Sequence, residues 1–127
     1  MVHILVVDDD KNTRRLIQAV LEAEGYSVTT AVDGQDALNK IGQQCFDLIV
    51  LDVMMPGMDG YELTRTLRDG QSELPILMVS AQQLPAHRHQ GFLVGTDDYM
   101  TKPLDVEEMV LRIKALLRRA RIVSERR

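Results

Sequence analysis

Three short runs, ILVV at 4–7, LIVL at 48–51 and ILMV at 76–79, are apolar at every position, and each ends on a polar residue: Asp8, Asp52 and Ser80. An unbroken apolar run of this length reads as a strand buried on both faces, unlike the alternating strand of a half-solvated sheet. The segments between the runs have helical spacing. Residues 12–24 carry Leu16, Ile17, Val20 and Leu21 before Gly25, residues 34–43 carry Ala37, Leu38 and Ile41, and residues 59–68 carry Leu63 and Leu67. Residues 85–94 are expected to be helical on a weaker pattern, and Asp105 caps a last helix with Val106, Met109, Val110, Ile113, Leu116 and Leu117 on its inner face. Tyr26–Val32 alternates and is rich in β-branched residues, and Asp97–Met100 makes a short final strand. Five strands alternating with five helices predict an α/β fold: a parallel sheet covered on both sides, since crossovers between parallel strands are right-handed. In such sheets ligands bind beyond the carboxyl ends of the strands, where the strand order reverses.

At 127 residues the chain has the length of one domain with a proper core. No apolar run reaches the length of a membrane span, MVHILVVDDDK is no signal peptide, and the single Cys45 allows no internal disulfide, so a cytoplasmic setting without membrane contact is expected. No Trp is present and aromatic residues make up 4%, which removes the stacking platform that grips single-stranded nucleic acid. Charge is divided unevenly. Residues 1–111 hold 8 Lys/Arg against 18 Asp/Glu, a balance of −10, and residues 112–127 hold 7 against 1, a balance of +6. The body repels phosphate backbones, so only the tail RRARIVSERR could attract them. A frayed basic helix end, favoured by the helix dipole, explains the tail equally well.

The predicted strand ends gather an unusual group: Asp8 and Asp9 after the first strand, Asp52 after the third, Ser80 after the fourth, and Lys102 after the fifth. Two carboxylates about 4 Å apart repel by roughly 4 kcal/mol at an effective dielectric near 20, so three are not gathered merely to hold a fold. A hard divalent cation such as Mg²⁺ relieves the conflict, because it takes oxygen ligands and bridges carboxylates to phosphate. Lys102 adds a second positive charge and Ser80 a hydrogen-bond donor. Such a group suits phosphoryl transfer to a carboxylate, with Asp52 as nucleophile. Each member has a plainer role in isolation: Asp8 and Asp9 as a helix start, for which Asp10 is the better candidate, Ser80 as a turn residue, and Lys102 as a solvated lysine.

ILVVDDD, LIVLDVMMPGMDG, ILMVSA and GTDDYMTKP, in that order and spacing over residues 3–120, resemble the receiver domain of two-component response regulators. The resemblance implies the flavodoxin-like (βα)5 fold with strand order 2-1-3-4-5, and a receiver domain at 1–120 followed by the start of a basic linker at 121–127. It makes Asp52 the phosphoacceptor for a sensor histidine kinase, Asp8 and Asp9 the acid pair for Mg²⁺, and the backbone carbonyl of Met54 a further ligand. Ser80 takes the switch hydroxyl position, Lys102 pairs with the phosphate, and Tyr99 is the aromatic that swings inward on activation, or else an ordinary edge-strand aromatic. The Lys102–Pro103 bond is often cis in the family.

The end of the chain resembles the winged-helix (OmpR/PhoB-type) transcriptional regulators. That likeness implies a homodimer on phosphorylation, through the fourth helix, fifth strand and fifth helix, and contact with DNA only through a further C-terminal domain. The cross-dimer pairs fall on Arg88 with Glu108 and Asp98 with Arg112, although Glu108 and Arg112 also stand four apart on one helix and can pair there. Leu93 replaces an acidic partner for Lys114, and Pro85 is expected to reshape the start of the fourth helix. The expected function is a signalling switch, not an enzyme beyond its own phosphorylation and dephosphorylation. A phosphatase acting on a separate substrate would need a lid or substrate domain, and an interaction module without phosphotransfer would have lost some of these residues. A flavin-binding flavodoxin would carry Ser, Thr and Gly after the first strand in place of three aspartates.

Overall fold

The computed structural model describes residues 1–81 and 85–125. Five strands, β1 (His3–Val7), β2 (Ser27–Ala31), β3 (Leu48–Asp52), β4 (Ile76–Ser80) and β5 (Asp98–Thr101), alternate with five helices. The helices are α1 (Lys11–Ala23), α2 (Gly34–Gln43), α3 (Gly60–Asp69), α4 (Pro85–Val94) and α5 (Val106–Glu125). All strand pairs are parallel, and the order is β2-β1-β3-β4-β5, as the resemblance implies.

The apolar runs become β1, β3 and β4, the three inner strands, and alternate residues of each supply two separate cores. Leu5, Val7, Ile49, Leu51, Ile76 and Met78 face one layer, which takes Ala37 from α2 and Leu63 and Leu67 from α3. Ile4, Val6, Leu48, Val50, Leu77 and Val79 face the other, closed by Ile17 and Leu21 of α1 and Met109, Ile113 and Leu116 of α5. Leu16, one of the apolar residues at helical spacing in α1, is half exposed.

Four aspartates start helices. Asp10, Asp33, Asp59 and Asp105 accept from the main-chain N–H three residues on, the geometry that satisfies an otherwise orphaned helix donor. Gly25, at φ 90°, follows α1 in the left-handed region that a side chain would strain. Pro85 is the first residue of α4, where its missing N–H leaves no helix bond unmade. The segment 121–125 continues α5 as helix, and residues 126–127 of the expected linker lie outside the described residues.

Burial separates two residues of α5 that sequence spacing alone distinguishes only by phase. Ile113 is fully buried and Leu111 is 67% exposed. Ile113→Ala is expected to cost about 2–5 kcal/mol and Leu111→Ala less than about 0.5 kcal/mol. Urea unfolding followed by circular dichroism checks both. A similar midpoint for the two variants would contradict the packing of α5 against the sheet.

Candidate phosphoacceptor site

The strand register fixes the site. Val7 pairs with Leu51 across β1 and β3, and Asp52 pairs with Val79 across β3 and β4. The residues just beyond these positions therefore project from the same edge of the sheet. Asp8 and Asp52 are buried, at 3% and 6% exposure, and Asp9 is exposed. One carboxylate oxygen from each lies within 4.8 Å of the other two. Among the described residues this is the one group of three or more His, Cys, Asp or Glu side chains close enough to share an ion.

Lys102 reaches this group from beyond β5. Its main-chain N–H donates to the carbonyl of Ser80 at 2.7 Å, which continues the β4–β5 ladder by one bond. Its Nζ lies 3.5 Å from Asp8 Oδ2 and 3.7 Å from Asp52 Oδ1. The Lys102–Pro103 bond is cis. One ammonium thus contacts two acids, and the third acid, Asp9, is left to solvent.

The carboxylates are also tied to the main chain. Met54 N–H donates to Asp52 Oδ1 at 3.3 Å, and Asp10 N–H donates to Asp8 Oδ1 at 2.8 Å. Arg14 Nη1 donates to the Asp8 carbonyl at 2.7 Å and holds the loop between β1 and α1 in place. Asp10 itself caps α1, and its carboxyl is held below the usual range mainly by the Thr13 hydroxyl. It belongs to the helix rather than to the acid cluster.

These ties do not offset the crowding at Asp52. Burial, and after it the charge of Asp8, push its carboxyl from 3.8 up to about 6, against the opposing pull of Lys102 and the Met54 bond. A metal ion fits this donor set: three carboxylates with no nitrogen or sulfur ligand among them suit a hard, oxygen-seeking divalent cation.

Ser80 ends β4 with its side chain fully buried, one position beyond the residue that pairs with Asp52. Tyr99 on β5 is buried, with its ring against Gly91 of α4 and the Arg88 guanidinium 6.0 Å from the ring centroid. The expected dimer-face residues make contacts within the chain. Arg112 Nη1 bonds both oxygens of Asp98 at 2.9 Å, and Arg112 Nη2 bonds Glu108 at 2.7 Å. Lys114 pairs with Glu24 at 2.9 Å, and Leu93 stands exposed.

Sequence reasoning missed Arg14, Gly60 and Tyr61. Arg14 carries no local signal, since its partner is a carbonyl. Gly60 had one: a glycine directly after the helix-capping Asp59 stands where the chain has least room. A Cβ on Gly60 would lie 2.8 Å from the Asp52 carbonyl oxygen and from Val53 Cα. The glycine therefore lets α3 begin in direct contact with the main chain of the central acid.

Comparison with known proteins agrees with this fold. Residues 4–114 match the family described as the response regulator receiver domain. The transcriptional regulatory protein ResD of Bacillus subtilis is 50% identical over 117 residues, which are 92% of this chain and 48% of that protein. The alkaline phosphatase synthesis transcriptional regulatory protein PhoP of Bacillus subtilis is 46% identical over 121 residues, 95% of this chain and 50% of that protein. The chain therefore spans about half the length of these curated relatives. Among solved structures, the receiver domain of the Francisella response regulator 1452 superposes with a TM-score of 0.91 at 36% identity, covering 94% of this chain and 99% of that one. Taken with the strand order and the site at the strand ends, these findings show that the chain belongs to the response regulator receiver domains, with its likeness among them to the OmpR/PhoB-type transcriptional regulators.

Proposed function

We propose that the chain is a phosphorylation-dependent switch in which Asp52 accepts a phosphoryl group from the phosphohistidine of a sensor histidine kinase. The observation that supports this best is the meeting of Asp8, Asp9 and Asp52 within 4.8 Å, with Lys102 Nζ against two of them. Mg²⁺ held by Asp8, Asp9, Asp52 and the Met54 carbonyl would supply the charge that lets an anionic phosphoryl group approach three acids.

The chain's own residues do the rest. A carboxylate oxygen of Asp52 forms the new bond to phosphorus, and the phosphorus–nitrogen bond breaks with its electron pair left on the imidazole. Lys102 neutralises a phosphoryl oxygen, and the Ser80 hydroxyl donates to another. Phosphoryl transfer needs little acid–base chemistry, so holding these groups in place supplies most of the catalysis. With its hydroxyl engaged by the phosphoryl group, Ser80 biases Tyr99 and the face formed by α4, β5 and α5, which carries Arg88, Asp98, Glu108 and Arg112. A change of a few kcal/mol between two packings is enough for such a switch.

On this reading the phosphorylated form is a homodimer acting in the cytoplasm, and DNA is engaged only through a further C-terminal domain of a longer protein. No helix of the described residues is long and apolar enough to cross a membrane. Turnover is confined to the chain's own phosphorylation and dephosphorylation.

Incubation with acetyl phosphate, followed by intact mass, tests the chemistry. A gain of one phosphoryl group is expected with Mg²⁺, none after chelation, and none in Asp52→Asn. Lys102→Ala is expected to slow the gain by about 10²-fold or more, the usual effect of removing one group that stabilises developing charge. Phosphoryl uptake by Asp52→Asn would remove Asp52 from its role.

The strained carboxyl generates a second test. Unfolded, Asp52 ionises near 3.8, and folded near 6, so the native state binds the extra proton between those values. The penalty from Asp52 is therefore absent below pH 4 and grows as pH rises toward 6, to about 3 kcal/mol in all. Without Mg²⁺, Asp52→Asn is expected to be more stable than the parent by an amount of this order at pH 7.5, with the gain disappearing near pH 4. Mg²⁺ should raise the melting temperature of the parent and much less that of the variant. Equal stabilities at both pH values would mean that the cluster carries no such load.

A further inference from the structure

Gly60 and Tyr61 are adjacent, and together they connect the phosphoacceptor strand with α4. Gly60 is seated on that strand: its N–H donates to the Val53 carbonyl at 2.9 Å, and the Asp52 carbonyl leaves no room for a side chain. The first turn of α3 thus has no slack relative to the main chain at Asp52. One residue on, Tyr61 is buried, and its hydroxyl donates to the carbonyl of His87 in α4 at 3.0 Å. Burial and a hydrogen bond with Tyr99 raise its pKa well above the ordinary tyrosine value, so the hydroxyl remains a donor throughout the neutral range.

From the other side α4 rests on Tyr99. A Cβ on Gly91 would lie 3.0 Å from the Tyr99 ring and 3.1 Å from Met78 Sδ, so a side chain at position 91 would press α4 against β4 and β5. Among the described residues, the Tyr61 hydroxyl meets the helix on the α3 side and the Tyr99 ring meets it on the β5 side.

We infer that Tyr61 is a positioning residue that carries a displacement of the Asp52 main chain to α4 through α3, alongside the path through Ser80 and Tyr99, which its hydroxyl also touches. This rests on the reading of Asp52 as phosphoacceptor. When the main chain at Asp52 moves, Gly60 moves with it by contact, and the His87 carbonyl either follows the Tyr61 hydroxyl or loses it. A hydroxyl–carbonyl bond is directional and makes a buried partner costly to abandon, so following is favoured. The route uses one hydroxyl, and Tyr61→Phe removes its bonds to the His87 carbonyl and to Tyr99 together while keeping the ring and its burial.

Amide hydrogen exchange over residues 88–94 tests the inference in the parent and in Tyr61→Phe. Each is measured with and without acetyl phosphate and Mg²⁺, with intact mass recorded alongside. Both proteins are expected to gain one phosphoryl group. Phosphorylation should change exchange in α4 of the parent, and in the variant that change should shrink by roughly three- to tenfold, the population effect of one net hydrogen bond. A purely structural role would shift exchange by the same factor in both phosphorylation states and leave the response intact. An equal response in the two proteins, or no response in the parent despite phosphoryl gain, overturns the inference and leaves the phosphoacceptor reading standing. Absence of phosphoryl gain in the parent overturns both.

Discussion

The mutual repulsion of Asp8, Asp9 and Asp52 is the constraint around which the site end of the molecule is built. Parallel strands in register bring β1 and β3 to an end at the same level, so acids placed there must meet. Two of the three are buried, which withdraws the water that would otherwise screen them. Lys102 answers the two buried charges, and the hydrogen bond from its main chain to Ser80 helps set where it enters. The remaining imbalance is visible in Asp52, whose carboxyl gives up its proton only near 6. A site in this condition is favoured by any cation that enters it, and the substrate it suits is an anion that arrives together with one.

The same residues that crowd the acids also connect them to the periphery. Asp52 is both the end of β3 and the surface on which Gly60 sits. Ser80 is both the end of β4 and the acceptor that fixes Lys102. Arg68 plays a comparable part at the far end of α3: it donates to the carbonyls of Gly95, Ser72 and Leu74 and to the Asp97 carboxylate. That end of α3 is therefore tied to the loop before β4 and to the loop between α4 and β5. Among the described residues, α4 meets α3 through the Tyr61 hydroxyl, β5 through the Tyr99 ring at Gly91, and the core through Val94.

Legibility in the sequence follows the range of the forces involved. β1, β3 and β4 were readable because four successive apolar residues have no other stable use in a chain of this length, and the acids stood out because they directly end those runs. The start of β5 was read one residue early. Asp97 turns its carboxylate to the Ile76 N–H and to Arg68 before the strand begins, and nothing local announces those partners. Leu16 satisfies helical spacing as well as its neighbour Ile17, and only the tertiary packing decides which of two adjacent apolar residues is inside. The apolar stripe of α5 read from the sequence ends at Leu117, yet the helix runs to Glu125; Arg118, Arg119, Ala120 and Arg121, all good helix formers, continue it past the stripe. Arg14, Tyr61 and Arg68 escaped for one common reason. Each acts on a main-chain carbonyl, and carbonyls carry no residue identity.

The face formed by α4, β5 and α5 has an energetic feature that bears on the proposed homodimer. Arg112 is already engaged by Asp98 and Glu108 within its own chain, with all three partly exposed. Exposed ion pairs are worth roughly 0–1 kcal/mol each, so exchanging an internal partner for one on a second copy changes the total little in either direction. The pairs can specify the register of two copies but cannot by themselves drive them together. The drive has to come from apolar area, and Phe92, Leu93 and Leu111 on α4 and α5 are all exposed. Two of these three side chains belong to α4, the helix held by the Tyr61 hydroxyl and the Tyr99 ring. A small shift of α4 therefore moves more apolar surface than charge, and a switch of a few kcal/mol would act through the placement of Phe92 and Leu93 more than through the breaking of any ion pair.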